Sequence, residues 1–493
     1  MRQRAIRYAV IGIAVILTAA ACTSDVLAPG SNAIHPSADF YIGYSHVLAN
    51  GGDVLAWVND INADCSDSVD ATIAAGAFTI PMAPELPPGN GNLVIQHTCS
   101  GASTARSVHI HGAGPGQTVL TQLNTTYGGY DVPLDGFLVY DNNVFFRDVT
   151  IQSDAQHPDL KLYGGAGVRF DNVAGGGVKN SVFIGMQIGG VDTYESSGIV
   201  MDSVSVQCNA GSVTPVYAMG LMIRESNYVT ITHSNVRNCP YESYYLDIGQ
   251  HNEISFNTAS CDNGFHCRNG VAIIGRDEGC VDRPASYNYV HDNTLNGYNY
   301  YRPVIEIYGG GSTQYNTIEQ NGINGADHHG IWLDSYHVEG PADSPSDCGG
   351  AYKAYDLHGS NYLHNNSISN TGRLAFNDTT GEGGVGIWVG SNSNNMVGNW
   401  ITGANDSGLN IDFGTTGNSF INGRIWSSTW DGAYVAGAHA TVQNNDISYN
   451  GHWGVCLNVQ SGSGNSPQSN SYTGNIFGPS TTSTSTSPPL TCE

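Results

Sequence analysis

The sequence predicts an all-β protein built as one parallel β-helix, a single-stranded solenoid, with a short helical cap at its N-terminal end. Three observations lead there. Short apolar segments recur at a spacing of about 25 residues down most of the chain. Within each segment apolar and polar residues alternate, which is the period of a strand. Asn and Gly fill the intervals, and both tolerate the left-handed backbone of tight turns. A strand of only a few residues cannot bury an apolar face alone, whereas stacked copies bury a continuous core.

The clearest copies lie in residues 217–260. Leu221 and Ile223 open one unit, and Leu246 and Ile248 open the next. Val229 and Ile231 mark a second strand, followed in the next unit by Ile254 and Phe256, and Asn235 and Asn257 sit in turns. Aligning Ile223 with Ile248 places Val229 on Ile254 and Ile231 on Phe256.

Arg2, Arg4 and Arg7 precede a mostly apolar run from Tyr8 to Ala21, the layout of an export signal and too short for a comfortable membrane span. Ala19-Ala20-Ala21-Cys22 resembles a bacterial lipoprotein cleavage site, which implies a lipid anchor on Cys22; ordinary cleavage nearby is the alternative. Either route gives an exported chain, at the cell surface or secreted. The expected organisation is a signal at 1–22, a flexible tether at 23–36 and an N-terminal cap at 37–74, with helical spacing inside 53–74. The β-helix then runs over 75–478, and a Ser/Thr-rich tail over 479–493.

The chain has 493 residues and a net charge of −25 although only 12% of its residues are charged. No basic stripe is present to displace counterions, which excludes nucleic acid as a partner. Ten of the 11 cysteines follow Cys22, an even number that suggests disulfides in an exported chain. Sequence leaves the connectivity open. Pairing neighbours gives Cys65–Cys99, Cys208–Cys239, Cys261–Cys267, Cys280–Cys348 and Cys456–Cys492. Zinc is the rival use, but no Cys-x-x-Cys spacing occurs.

Across roughly residues 75–478 the recurring pattern is Gly-apolar-x-apolar, then Asn-x-apolar-x-x-Asn-x-apolar. It resembles the right-handed parallel β-helices of the pectate-lyase-like superfamily, and GAFTIP and VHIHGAGPGQTVL are similar to its entry coils. The resemblance implies a right-handed coil. Its members include lyases, hydrolases, epimerases and non-catalytic adhesins, so it bears on fold more than on reaction. The paired-Asp and Gly-His-Gly motifs of polygalacturonases are missing, as is the Asp-Pro-His motif of alginate epimerases.

Equivalent residues of successive coils stack about 4.8 Å apart, so the first strand of each unit can be read as columns on a common outer face. One column runs Met222, Asp247, Ala272, Glu306, Trp332, Trp388, Asn410, Tyr434, Cys456. The next runs Arg224, Gly249, Ile274, Tyr308, Asp334, Gly390, Asp412, Ala436, Asn458. Asp247, Glu306 and Asp334 gather carboxylates. Trp332, Trp388 and Tyr434, with Tyr308 beside them, form an aromatic strip suited to the C–H faces of sugars. The plainer reading packs these rings under a covering loop. Insertions at 275–286 and 335–358 are expected to wall a groove, stapled by Cys280 and Cys348.

Glu306 with Asp334, or Asp247 with Glu306, suits the acid/base pair of an inverting glycosidase, whose carboxyls stand about 6.5–9.5 Å apart. Burial against Trp332 would keep one of them protonated. The plainer reading makes them acceptors for turns or ligands of a structural Ca²⁺. β-Elimination from a uronate is the rival chemistry. It would use Arg276 as base, Arg302 on the substrate and Ca²⁺ on Asp247, Glu306 or Asp334; the plainer reading pairs Arg268, Arg276, Arg283 and Arg302 with Asp277, Glu278 and Asp282. His328 and His329 precede the Ile331 strand and His337 follows it, placed as acid/base groups, substrate donors or metal ligands. The expectation is an exported enzyme that cleaves glycosidic bonds of a polysaccharide, by hydrolysis ahead of elimination. A non-catalytic surface glycan binder or adhesin is the alternative from another class.

Overall fold

The structure is a computed structural model. It describes residues 46–81, 93–99, 106–122, 125–127, 130–132, 135–153, 165–186, 188–208, 218–262, 265–278, 281–300, 302–309, 313–334, 359–372, 383–458 and 464–483. The expected signal, tether, Cys22 anchor and most of the expected tail lie outside the described residues.

Three long parallel sheets run the length of the array. Sheet one extends from His46–Leu48 to Ser466–Gln468, sheet two from Gly76–Ile80 to Asp446–Ser448, and sheet three from Leu93–Ile95 to Gly478–Ser483. Each coil adds one strand to each sheet, so pairing partners are always one coil apart. This is the expected right-handed parallel β-helix. Among the described residues two short antiparallel pairings depart from it, Thr125–Tyr127 with Tyr130–Val132 and Arg276–Glu278 with Val281–Arg283.

Among the described residues there is one helix, Val54–Ala63. Asp53 caps it by accepting from the Leu55 and Ala56 N–H groups at 2.9 and 3.1 Å. Val54, Trp57, Val58 and Ile61 are its buried face. The sheets begin before residue 75: His46–Leu48 pairs with Ser68–Ile73, inside the segment read as cap. Burial of Val69, Ala71 and Ile73 in alternation is a strand's period, which overrides the helical reading of that stretch.

The core is a column of apolar side chains, one or two from each sheet per coil. In one coil they are Ile223, Ile231 and Val236, and in the next Leu246, Ile254 and Ala259, all at most 1% exposed. Register here differs from the sequence alignment. Ile223 pairs with Leu246, not Ile248, and Ile231 with Ile254, not Phe256. Ile248 and Phe256 sit in left-handed turns at φ 53° and 55°, and Phe256 is 52% exposed. Asn257 therefore stacks on Ser234, whose N–H it accepts at 2.8 Å, and not on Asn235.

The glycine that opens most strands of sheet three is demanded by space. A Cβ on Gly408 would lie 2.1 Å from Ile425 Cγ2 and 2.9 Å from the Gly432 carbonyl oxygen. Gly408→Ala is expected to destabilise the fold by about 1–3 kcal/mol, the usual cost of overpacking, read as a lowered thermal midpoint.

Cys65–Cys99, Cys208–Cys239 and Cys261–Cys267 are disulfides, as neighbour pairing predicts. Cys456 is also disulfide-bonded. Cys280, Cys348 and Cys492 lie outside the described residues. The disulfides fit an exported protein. Among the described residues no helix is long and apolar enough to cross a membrane.

On the outer face of sheet one, His291 bridges two carboxylates, with Nδ1 2.8 Å from Asp292 and Nε2 3.2 Å from Glu253. Burial alone would lower its pKa, but the hydrogen bonds to Glu253 and Asp292 together raise it above 6.5. A raised histidine contributes stability that is complete below about pH 6.5 and is lost as pH rises through the folded-state value. The thermal midpoint is expected to fall over that rise, and His291→Gln to flatten the fall in melts collected between about pH 5 and 9.

Candidate functional site

The outer face of sheet three brings together most of the residues singled out from the sequence. Its central column runs Tyr245, Ala272, Glu306, Trp332, Trp388, Asn410, Tyr434, Cys456. From Ala272 onward this is the predicted column. Asp247 does not belong to it. It lies in the neighbouring column, paired with Arg224 on one side and Ile274 on the other, so Asp247 and Glu306 do not share a column.

Glu306 points away from the core, because Ile305 and Ile307 on either side point into it. Its side chain is nonetheless buried, at 1% exposure. Arg302 Nη1 donates to Oε1 at 2.8 Å and Asn269 Nδ2 donates to Oε2 at 3.0 Å. Burial pushes the Glu306 pKa above 4.5, against the pull of Arg302 and Arg268.

A second buried acid, Glu242, belongs to the same cluster and was not read from the sequence. It opens its strand in a third column, paired with Asn269. Arg268 Nη1 stands 3.6 Å from Oε1, while Glu242 Oε2 and Asn269 Oδ1 are buried with no hydrogen-bond partner. Burial raises its pKa to about 8, Arg268 opposes the rise, and the nearby Glu306 adds to it. At neutral pH Glu242 is therefore mostly a protonated acid. The signal available in the sequence was an acid at the start of a strand, Glu242-Ser-Tyr-Tyr, one coil before Arg268-Asn269.

Asp247 and Arg276 form a pair of their own. Arg276 Nε donates to Asp247 Oδ1 at 2.7 Å and its Nη2 to the Tyr245 hydroxyl at 3.0 Å. Burial raises the Asp247 pKa and Arg276 resists it. Burial would lower the Arg276 pKa, yet Asp247 and Tyr245 raise it above the ordinary value. An arginine whose charge is held this way is a poor base. Arg283 likewise pairs with Glu225. Arg268, Arg276 and Arg283 thus engage acids of other coils and Arg302 an acid four residues on; the side chains of the local candidates Asp277, Glu278 and Asp282 lie outside the described residues.

The aromatic strip is largely covered. Trp332 and Trp388 lie side by side, ring centres 5.9 Å apart at 39°. Only Trp332 is half-buried; Tyr308, Trp388 and Tyr434 are 4%, 6% and 1% exposed. Tyr434 accepts from Asn458 Nδ2 at 2.8 Å and packs with Ala436, Cys456, Phe413 and Trp453. Tyr308 packs with Met222, Tyr245, Ala272 and Ile274 in another outer cluster. Of the expected platform only Trp332 is partly open; Tyr308, Trp388 and Tyr434 are buried. Aromatic rings on an outer strand face carry enough apolar area to nucleate a second layer.

Asp334 follows Leu333 and is half-buried; its N–H donates to the Ile307 carbonyl at 2.8 Å, which fixes it one coil beyond Tyr308. His329 is 1% exposed, its ring 4.8 Å from Trp388 and 5.7 Å from Trp332, and burial holds its pKa well below the usual value. Its Nδ1 accepts the Val385 N–H at 3.2 Å. His328 is half-buried at 3.8 Å from it, ring centre to ring centre. His337 and the insertion 335–358 lie outside the described residues, as do residues 279–280 of the other expected wall. Among the described residues no three His, Cys, Asp or Glu side chains are arranged to hold a metal ion. Asp247 and Glu306 are each paired with an arginine, Arg276 and Arg302.

No protein-family model matches the chain, and no curated protein matches it in sequence. Solved structures do resemble it. The catalytic domain of GH87 alpha-1,3-glucanase in complex with tetrasaccharides is 14% identical over 88% of this chain and 69% of that one, with a TM-score of 0.48. The Dettilon tailspike protein is 13% identical over 72% and 60%, with a TM-score of 0.49. The A-module of Azotobacter vinelandii mannuronan C-5 epimerase AlgE4 is 12% identical over 88% and 97%, with a TM-score of 0.40. These likenesses concern the fold alone.

Proposed function

We propose that the chain is an exported carbohydrate-active enzyme that hydrolyses glycosidic bonds of a polysaccharide lying across sheet three near Glu306, Trp332 and Asp334. One observation carries this reading. A buried carboxyl with a raised pKa stands one coil from a half-buried carboxylate, diagonal to it, and a partly open tryptophan is the ladder partner of the first and two residues before the second. Diagonal positions on neighbouring strands are about 7–8 Å apart, within the range for an inverting pair. Glu306 would give its proton to the departing glycosidic oxygen. Asp334 would take a proton from the water that adds to the anomeric carbon as the C–O bond breaks. Trp332 would hold a sugar face, and Arg302 and His328 would contact its hydroxyls. Glu242 would stand beside Glu306 as a second buried acid, its own pKa raised by burial and by Glu306.

The pairing of Arg276 with Asp247 and Tyr245 favours hydrolysis over elimination. A net charge of −25 favours a neutral polysaccharide over a polyuronate. The deep burial of Glu306 favours a second reading, a non-catalytic glycan binder lipid-anchored through Cys22 or freely secreted. Incubation with a polysaccharide panel separates them. New reducing ends without an unsaturated, ultraviolet-absorbing product support hydrolysis. An unsaturated product overturns it in favour of elimination, and binding with no new ends supports the binder.

A further inference from the structure

Away from sheet three, we propose a second carbohydrate site, a neutral-sugar groove running over the outer face of sheet two at its corner with sheet one. The groove encloses about 430 Å³ and is lined by Trp400, Arg424, Asp446, Asn422, Asn444 and Ser471, among others. That volume lies within the range of about 300–1,000 Å³ usual for small-molecule sites. Trp400, Arg424 and Asp446 occupy one column on three successive coils.

The chemistry selects a sugar. Trp400 is 47% exposed, a large apolar ring that the core does not use. The Arg424 guanidinium covers one side of it, 5.0 Å from the ring centre, and also lies 4.3 Å from the Trp426 ring. On the other side the same column holds only Ser367 and then Gly322, so no bulky member of the column covers that face. Arg424 Nε is 3.4 Å from Asp446 Oδ2, and the pair cancels its own charge. Around the ring, Asn422, Asn444 and Ser471 present amides and a hydroxyl at exposed positions. A flat apolar ring bordered by uncharged donors and acceptors matches the C–H face and equatorial hydroxyls of a neutral pyranose. A polyanion gains nothing from a neutralised arginine, and a protein partner would find few apolar contacts.

The groove would hold polymer on a wall other than sheet three, and it stands whether or not the chain cleaves its ligand. The full chain is run in native gels containing dextran, a soluble mixed-linkage β-glucan, xylan, galactomannan or alginate. Retardation by at least one of the four neutral polymers is expected, with little by alginate. Trp400→Ala should weaken that retardation about 10-fold in apparent affinity, with an unchanged melting midpoint. Ser367→Arg, which places a cation over the open ring face, should do the same without removing the tryptophan. Retardation by none of the neutral polymers overturns the groove. So does retardation that both variants keep, including the case in which Trp332→Ala alone abolishes it. Loss of hydrolysis with Trp400-dependent retardation intact would sink only the enzyme reading.

Discussion

Glu306→Gln is expected to lower turnover on the cleaved polysaccharide by a factor of about 10²–10⁴, the usual worth of a positioned acid or base. Gln has the same shape and leaves Arg302 an acceptor, so Michaelis constants should change little. The replacement is not free. One side-chain position would present NH₂ to the Asn269 amide, which now donates to Glu306 at 3.0 Å. Asn269 can turn its unpartnered Oδ1 toward that NH₂ only by giving up its 2.7 Å bond to the Pro303 carbonyl. A small loss of stability should therefore accompany the large loss of rate. The pH profile gives a sharper signature. A general acid acts only while protonated, and burial sets the Glu306 pKa above 4.5. Wild-type activity should fall as pH rises through that value, and this alkaline limb should vanish in Glu306→Gln. Asp334→Asn should cost a similar factor and remove the acidic limb instead. Full activity in both variants would remove the proposed site.

Why the sequence located some of these residues and misplaced others follows from how register is pinned. A shift of two residues leaves a strand's inside–outside alternation unchanged. Hydrophobic pattern alone therefore cannot choose between Leu246 and Ile248 as the partner of Ile223. In five other coils a glycine settles the choice, because Gly220, Gly270, Gly330, Gly386 and Gly408 each come immediately before the first core residue of sheet three; the Glu306 coil has Val304 at that place. The coil that was misaligned has Ser243 there instead. Asp247 was misplaced in that coil and in no other, while Glu306, Trp332, Trp388 and Tyr434 fell into their true column.

Burial on the outer face was a different kind of unknown. Column position says which way Tyr308 or Tyr434 points, not what packs over it. That depends on which neighbouring positions of the outer face are apolar as well, such as Met222 and Ile274 around Tyr308, or Phe413 and Trp453 around Tyr434. Glu242 escaped for a related reason: its importance comes from Arg268 and Glu306, one and two coils away, and not from its own neighbours in sequence. Arg268, Arg276 and Arg283 show the same thing, meeting acids that only the stacking of coils brings adjacent.

The turn asparagines turn this stacking into stability, and the largest expected destabilisation lies there. Asn257, Asn293, Asn321, Asn366 and Asn399 form one buried ladder between sheets one and two. Asn321 Oδ1 accepts from the Asn293 N–H at 3.1 Å and from Asn293 Nδ2 at 3.0 Å. Its own Nδ2 donates to Asn366 Oδ1 at 3.0 Å and to the Val290 carbonyl at 2.9 Å. Asn321→Ala removes all four bonds at a site 1% exposed, leaving a buried N–H and a buried carbonyl without those partners. Each stranded group costs about 1–3 kcal/mol, so a loss of about 3–5 kcal/mol is expected after partial relaxation. Asn235 is the internal control. It is exposed, and among the described residues its side chain hydrogen-bonds the Thr258 hydroxyl alone, at 2.9 Å. Asn235→Ala should stay within about 0.5 kcal/mol of wild type. Chemical denaturation of the two variants side by side measures the contrast. Equal, small shifts would mean that the ladder merely fills space, and that core packing and glycine placement alone hold the coils in register.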